Sequence, residues 1–287
     1  MESTNNHIVG KASLKDRMTV YVGVLIILIV SWGYIIGMGW HMGTLPFIEN
    51  SNMSMNMDQS MSMNDKKISI LDTVLMWMPP SQGEWMFKDF FLLFIMWSVM
   101  MIAMMTPSIL PMVMLFTVLN SKNKKNNKSS ASPLILLIGY LVSWVLFSLV
   151  ITFPQYAMHK SGLLNPMMEP THAYLGSAIL ILAGIYQFTP FKDACLSVCQ
   201  SPLSFLMNNW KEGNLGAFLI GYKHGFYCIG CCWFLMMTLF ALGVMNILWV
   251  AVLTLFVMFE KLSYRFPLLF RYSTGAIFIA WGITLTF

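Results

Sequence analysis

Charge is what this chain has least of. Only 10% of its 287 residues are Asp, Glu, Lys or Arg, against about a quarter in an ordinary soluble domain. With a mean hydropathy of +0.67, that scarcity excludes a soluble globular protein. The basic excess of +5 is modest and sits in the predicted loops, so no nucleic-acid partner is expected. No cysteine occurs before Cys195 or after Cys232, and the five present fall in one window of 38 residues. An odd number confined to one region excludes a disulfide framework. The sequence also lacks a nucleotide-binding loop, an H-E-x-x-H pair and a serine-nucleophile motif.

What is abundant is apolar sequence in long runs. A membrane helix needs about 20 predominantly apolar residues. Seven stretches meet or approach that, at about Met18–Trp40, Asp89–Leu119, Pro133–Pro154, His172–Phe188, Leu215–Leu242, Gly243–Glu260 and Leu268–Phe287. The expected fold is therefore all-α: a polytopic membrane helix bundle of about seven transmembrane helices, multi-pass in the cell membrane. The first span is read as retained, because "GWHMGTLPF" after it has no small-x-small cleavage site. Trp40, Trp85 and Tyr264 sit near span ends, as interfacial anchors do. With the N-terminus inside, twelve basic residues fall in inner segments: Lys11, Lys15, Arg17, Lys122, Lys124, Lys125, Lys128, Lys192, Lys211, Lys261, Arg265 and Arg271. Lys66, Lys67, Lys88 and Lys160 fall outside, and Lys223 lies within a span. This bias follows the positive-inside rule. Three regions result: a tail and first helix over 1–40, an outer loop over 41–88, and a transmembrane bundle over 89–287.

The outer loop contains "NMSMNMDQSMSM", which places Met53, Met55, Met57, Met61 and Met63 in a polar segment. No core exists there for these side chains to pack into. Soft thioethers favour Cu(I), and M-x-M spacing lets several sulfurs surround one ion. The segment resembles the Met-rich outer tails of copper uptake transporters and copper-resistance proteins. Methionine is used freely throughout the chain, 27 times, so low-complexity drift is the competing reading.

A second concentration of soft donors lies in "KHGFYCIGCCWF". From His224, the residues Cys228, Cys231 and Cys232 follow at i+4, i+7 and i+8, a helical stripe about 100° wide. Upstream, "ACLSVCQSP" puts Cys195 and Cys199 one turn apart. If the two segments pack together, five thiols and an imidazole converge. Buried Cys also serves as a small hydrophobe at helix interfaces, but two one-sided clusters with a His in register favour a metal site. Cu(I) is the expected metal and zinc the alternative.

Span two carries Met96, Met100 and Met104 on one face, with Met101 and Met105 beside them. Thioethers in a row can relay Cu(I), although Met is equally an adaptable core filler. Met100 and Met104 are the candidate ligands there. Pro107 and Pro111 are expected to break the helix. Gln187, Thr189 and Pro190 are expected to end or kink span four, and Asn246 to serve a tight turn. Glu260, followed by Lys261, reads as part of an interfacial ion pair or as a solvated carboxylate, with a proton or metal role the lesser alternative, and Lys223 as a snorkelling side chain.

The blocks "MMIAMMTPSILPM", "YQFTPFKDACLSVCQSP", "GYKHGFYCIGCCWFLMM" and "GVMNILWVAVLTLFVMFEK" resemble, in that order, a domain family of unknown function. That family is described as predicted metal-binding integral membrane proteins. The resemblance covers about Trp85 to Lys261. It implies Cys195, Cys199, His224, Cys228, Cys231 and Cys232 as ligands and supplies no reaction. Gln200 stands where members of that family often carry a basic residue. Taken together, the sequence points to copper transport, storage or delivery, with the lipid bilayer and a copper-dependent membrane enzyme or metallochaperone as partners. The alternatives are a membrane thiol–disulfide oxidoreductase using the Cys pairs, and a structural subunit of a membrane complex.

Overall fold

The computed structural model describes residues 14–41, 77, 85–125, 130–165, 168, 170–244, 246–263 and 267–286. Met53, Met55, Met57, Met61 and Met63 lie outside them. Ten helices follow in order among the described residues: α1 Leu14–His41, α2 Phe87–Lys125, α3 Pro133–Lys160, α4 Ala173–Gln187, α5 Pro190–Gln200, α6 Pro202–Asn209, α7 Gly213–Met237, α8 Leu239–Leu242, α9 Ile247–Leu262 and α10 Pro267–Thr284. An isolated bridge between Leu164 and Pro170 is the nearest thing to a strand among them.

The all-helical expectation holds. Four helical segments are long and apolar enough to cross a membrane: Arg17–Trp40, Phe87–Ser121, Pro133–Lys160 and Gly213–Leu242. The pair α4–α5 makes a fifth if counted as one broken span. The stretches expected as spans six and seven form the shorter helices α9 and α10.

Local chemistry places the ends. Pro133, Pro190 and Pro202 open α3, α5 and α6 in the first turn, where a missing N–H removes no helical bond. Thr189 caps α5 by accepting from Lys192 N at 3.4 Å. Since the residue before proline is steered out of the helical region, the chain bends by 67° between α4 and α5. The kink expected at Gln187–Pro190 is therefore present, and the helix resumes beyond it to carry both upstream cysteines. Asn246 caps α9 by accepting from Leu248 N at 3.1 Å.

Pro107 and Pro111 do not break their helix, contrary to expectation. α2 runs unbroken through both. Hydroxyls beside the prolines bond neighbouring carbonyls, though not the two that the prolines free: Thr106 Oγ1 donates to Ile102 O at 2.5 Å and Ser108 Oγ to Met105 O at 2.9 Å. Tyr140 Oη of α3 also reaches Met105 O at 3.4 Å.

The closest packing joins α3 to α7. A Cβ built on Gly221 would lie 2.0 Å from Leu136 O, one on Gly139 2.2 Å from Phe218 O, and one on Gly225 2.3 Å from Ser143 Oγ. Only hydrogen fits at Gly221 and Gly139, so the two backbones touch there. Gly221 and Gly225 are four residues apart, the small-residue spacing that brings apolar helices together. This crossing sets Tyr140 of α3 beside Cys228 of α7.

Candidate metal centre

α5 lies against α7, and this contact brings three of the predicted ligands together. The sulfurs of Cys199, Cys228 and Cys231 all lie within 4.8 Å of one another. Cys199 Sγ is 3.9 Å from Cys231 Sγ, and Cys232 Sγ is 3.3 Å from Cys231 Sγ. Cys228, Cys231 and Cys232 are fully buried, whereas Cys199 is half-buried at the end of its short helix. All five thiols are free. Sulfurs about 4 Å apart on a triangle place its centre about 2.3 Å from each, which is a metal–thiolate bond length. The three sulfurs are therefore close enough to share one soft ion.

Two predicted ligands stand apart from that group. Cys195 packs against Gly230, where an added Cβ would meet its sulfur at 2.7 Å. His224 is buried one turn before Cys228, with ring centroids 6.0 Å from Tyr140 and 5.2 Å from Phe205, and its Nδ1 has no hydrogen-bond partner. Met100 and Met104 are buried at 4% and 1% exposure. Met96 and Met100 line a cleft with Tyr34, Ile35 and Met38 of α1 and Ile247 and Val250 of α9. Burial of this kind serves core packing as well as it would serve a relay.

The surroundings of Cys228 were not foreseen from sequence. Lys261 Nζ lies 2.7 Å from Cys228 Sγ and donates to Ser108 Oγ at 2.9 Å. Tyr140 Oη is 3.0 Å from the same sulfur and 3.2 Å from Ser108 Oγ. Lys261 is thus no interfacial or solvated charge. Nor is Glu260, which is 2% exposed and pairs with Lys192 of α5 at 2.6 Å. The two expectations fail for one reason. Adjacent helical residues point about 100° apart, so Glu260 turns to α5 while Lys261 turns to Cys228. The available signal was a Glu-Lys pair closing an apolar helix, since ionisable groups at that depth point to a functional site. Arg271, also buried, pairs with Asp193 at 2.6 Å. Three of the twelve basic residues assigned to the inner side are therefore bundle interior. Lys223, by contrast, is exposed and bonds Asn209 Oδ1 at 2.6 Å, in keeping with a snorkelling role.

The Lys192–Glu260 pair makes a stability prediction. Lys192→Met leaves a carboxylate buried without its cation and is expected to cost about 3–5 kcal/mol. The double variant Lys192→Met/Glu260→Met, which buries no charge, should recover most of that loss. Thermal unfolding of the detergent-solubilised protein would read both. A single variant as stable as wild type would show the pair to be solvated.

An all-helical, apolar protein with a buried three-thiol cluster belongs with proteins that hold soft metals. A sequence model of the PpoB2 copper chaperone family matches residues 94–285, and the chain belongs to that family. The match contains every cysteine, His224, Tyr140 and Lys261. No curated protein and no solved structure matches the chain.

Proposed function

We propose that this protein is a membrane-embedded copper chaperone that holds Cu(I) on Cys199, Cys228 and Cys231 and delivers it to a copper-dependent enzyme. One observation carries the reading: three free sulfurs converge within 4.8 Å in a chain of the copper chaperone family. Thiolates select soft ions, Cu(I) among them. Cys232, 3.3 Å from Cys231, is a reserve sulfur to which the ion can shift. Cys199 is half-buried and stands on the short helix beyond the 67° bend. It is the ligand an acceptor protein reaches first, and exchange there begins delivery. His224 and Cys195 flank the ion's position rather than share one coordination sphere with it.

The remaining arrangement is part of the same proposal. Seven helices cross the membrane with the N-terminus inside, the broken pair α4–α5 and the short helices α9 and α10 included. The outer segment 41–88 captures copper on Met53, Met55, Met57, Met61 and Met63, and Met100 and Met104 pass it inward along α2. Thiolates hold Cu(I) more tightly than thioethers, so transfer runs toward the cysteines.

The test is metal content per chain after anaerobic, reducing purification, with a deletion of residues 53–63 alongside. About one copper per chain in both proteins, with slower loading of the deletion, supports capture by the loop and storage in the bundle. Zinc in that place overturns the copper reading. No metal, with thiols that oxidise in pairs, makes the protein a thiol–disulfide oxidoreductase instead.

A further inference from the structure

A copper ion bound only by thiolates does not leave a neutral site. Cu(I) carries one positive charge, so two thiolates give a net charge of −1 and three give −2. Cys228 and Cys231 have no exposed surface, and an uncompensated anion there would be held without water. Something in the protein must answer that charge.

Three cations are buried among the described residues: Lys192, Lys261 and Arg271. Lys192 is occupied by Glu260 and Arg271 by Asp193, each at 2.6 Å. Lys261 has no carboxylate partner among the described residues. Its ammonium instead faces Cys228 Sγ at 2.7 Å and is fixed from two other helices, by Ser108 directly and by Tyr140 through Ser108 and Cys228. A long, rotamer-rich side chain held in this way has its ordering entropy spent before the metal arrives.

We infer that Lys261 is the counter-cation of the loaded site and, through its charge, the residue that favours a monovalent ion over a divalent one. The inference rests on the copper reading above. For any fixed number of thiolates, a divalent ion leaves one negative charge fewer than Cu(I) does. The attraction of a fixed ammonium is therefore larger for the Cu(I) adduct, because it repels the incoming ion less. In apolar surroundings this difference is amplified. Lys261 is not a ligand. It acts through Cys228, as a positioning and charge-matching group.

The test uses the full chain in detergent, anaerobic, as wild type, Lys261→Met and Lys261→Arg. Cu(I) affinity is read by competition with a chromophoric Cu(I) chelator, Zn²⁺ affinity by competition with a zinc indicator, and folding by thermal unfolding. Lys261→Met is expected to weaken Cu(I) binding on the order of 10- to 100-fold, the scale of a lost charge-assisted bond. Zn²⁺ binding should fall much less, so the ratio of the two affinities drops. Lys261→Arg, which keeps the charge, should restore most of that ratio. Equal losses for both metals would reduce Lys261 to a structural role and overturn the inference, as would unchanged Cu(I) affinity in Lys261→Met. If wild type binds no copper, the copper reading fails first and this inference falls with it. Should Lys261→Met not fold, Lys261→Gln with the same two competitions replaces it.

Discussion

Cys231→Ser is expected to weaken copper binding far more than Cys195→Ser. The difference follows from where the two sulfurs stand. Cys231 Sγ lies 3.9 Å from Cys199 Sγ and 3.3 Å from Cys232 Sγ, so it is the sulfur that links the two helices. Replacing it with a hydroxyl breaks the three-sulfur group and leaves Cys199 and Cys228 with only the reserve sulfur of Cys232 to complete it. Loss of an outer-shell partner alone typically costs a metal site about 10- to 100-fold in affinity. Loss of this ligand should exceed that, on the order of 1000-fold, or about 4 kcal/mol. Cys195 faces Gly230 and is expected to change affinity by less than about threefold, within the scatter of a packing change. Chelator competition on both variants reads the contrast. Equal losses would return Cys195 to the coordination sphere that its spacing first suggested.

The second large effect concerns a residue with no side chain. Gly221→Val should leave little folded protein, because a Cβ at that position lies 2.0 Å from Leu136 O and 3.1 Å from Tyr140 N. These are backbone atoms, so no rotamer change relieves the clash and α3 must move as a body. Overpacking that side chains can absorb costs about 1–3 kcal/mol; here the cost should be larger. Copper binding fails with it, since Tyr140 and Cys228 face each other across the same crossing. Gly33 of α1 is the control: nothing lies within 4 Å of its built Cβ, and Gly33→Ala should behave as wild type. Size-exclusion profiles and thermal unfolding of the three proteins decide it. A monodisperse Gly221→Val protein with normal melting would mean that the helices do not touch there.

Much of this was legible in the sequence, and the limits have physical causes. Apolar runs locate α1, α2, α3 and α7 because helices long and apolar enough to cross a membrane declare themselves by composition over about 20 residues. The clustering of thiols was equally plain. What periodicity cannot give is depth along the helix. His224 and Cys232 share a stripe, yet eight residues at 1.5 Å each separate them by about 12 Å, too far for one ion. Cys195 and Cys199 stand one turn apart on α5, and it is the Cys199 end that meets Cys228 and Cys231. Lys261 and Tyr140 were invisible for another reason. Each reaches Cys228 from a different helix, and the sequence separations are 33 and 88 residues. Proline was misjudged because an apolar helix packed against neighbouring helices can run through it, and those neighbours are not visible in the sequence of one segment.

The last turn of α9 carries no sulfur, yet it touches both helices that do. Glu260 grips α5 through Lys192, and Lys261 meets α7 at Cys228. Two neighbouring side chains thereby act as the jaws of a calliper, one on each thiol-bearing helix. The gap between Cys199 and the sulfurs of α7 is gauged by a third helix that contributes no sulfur to the group.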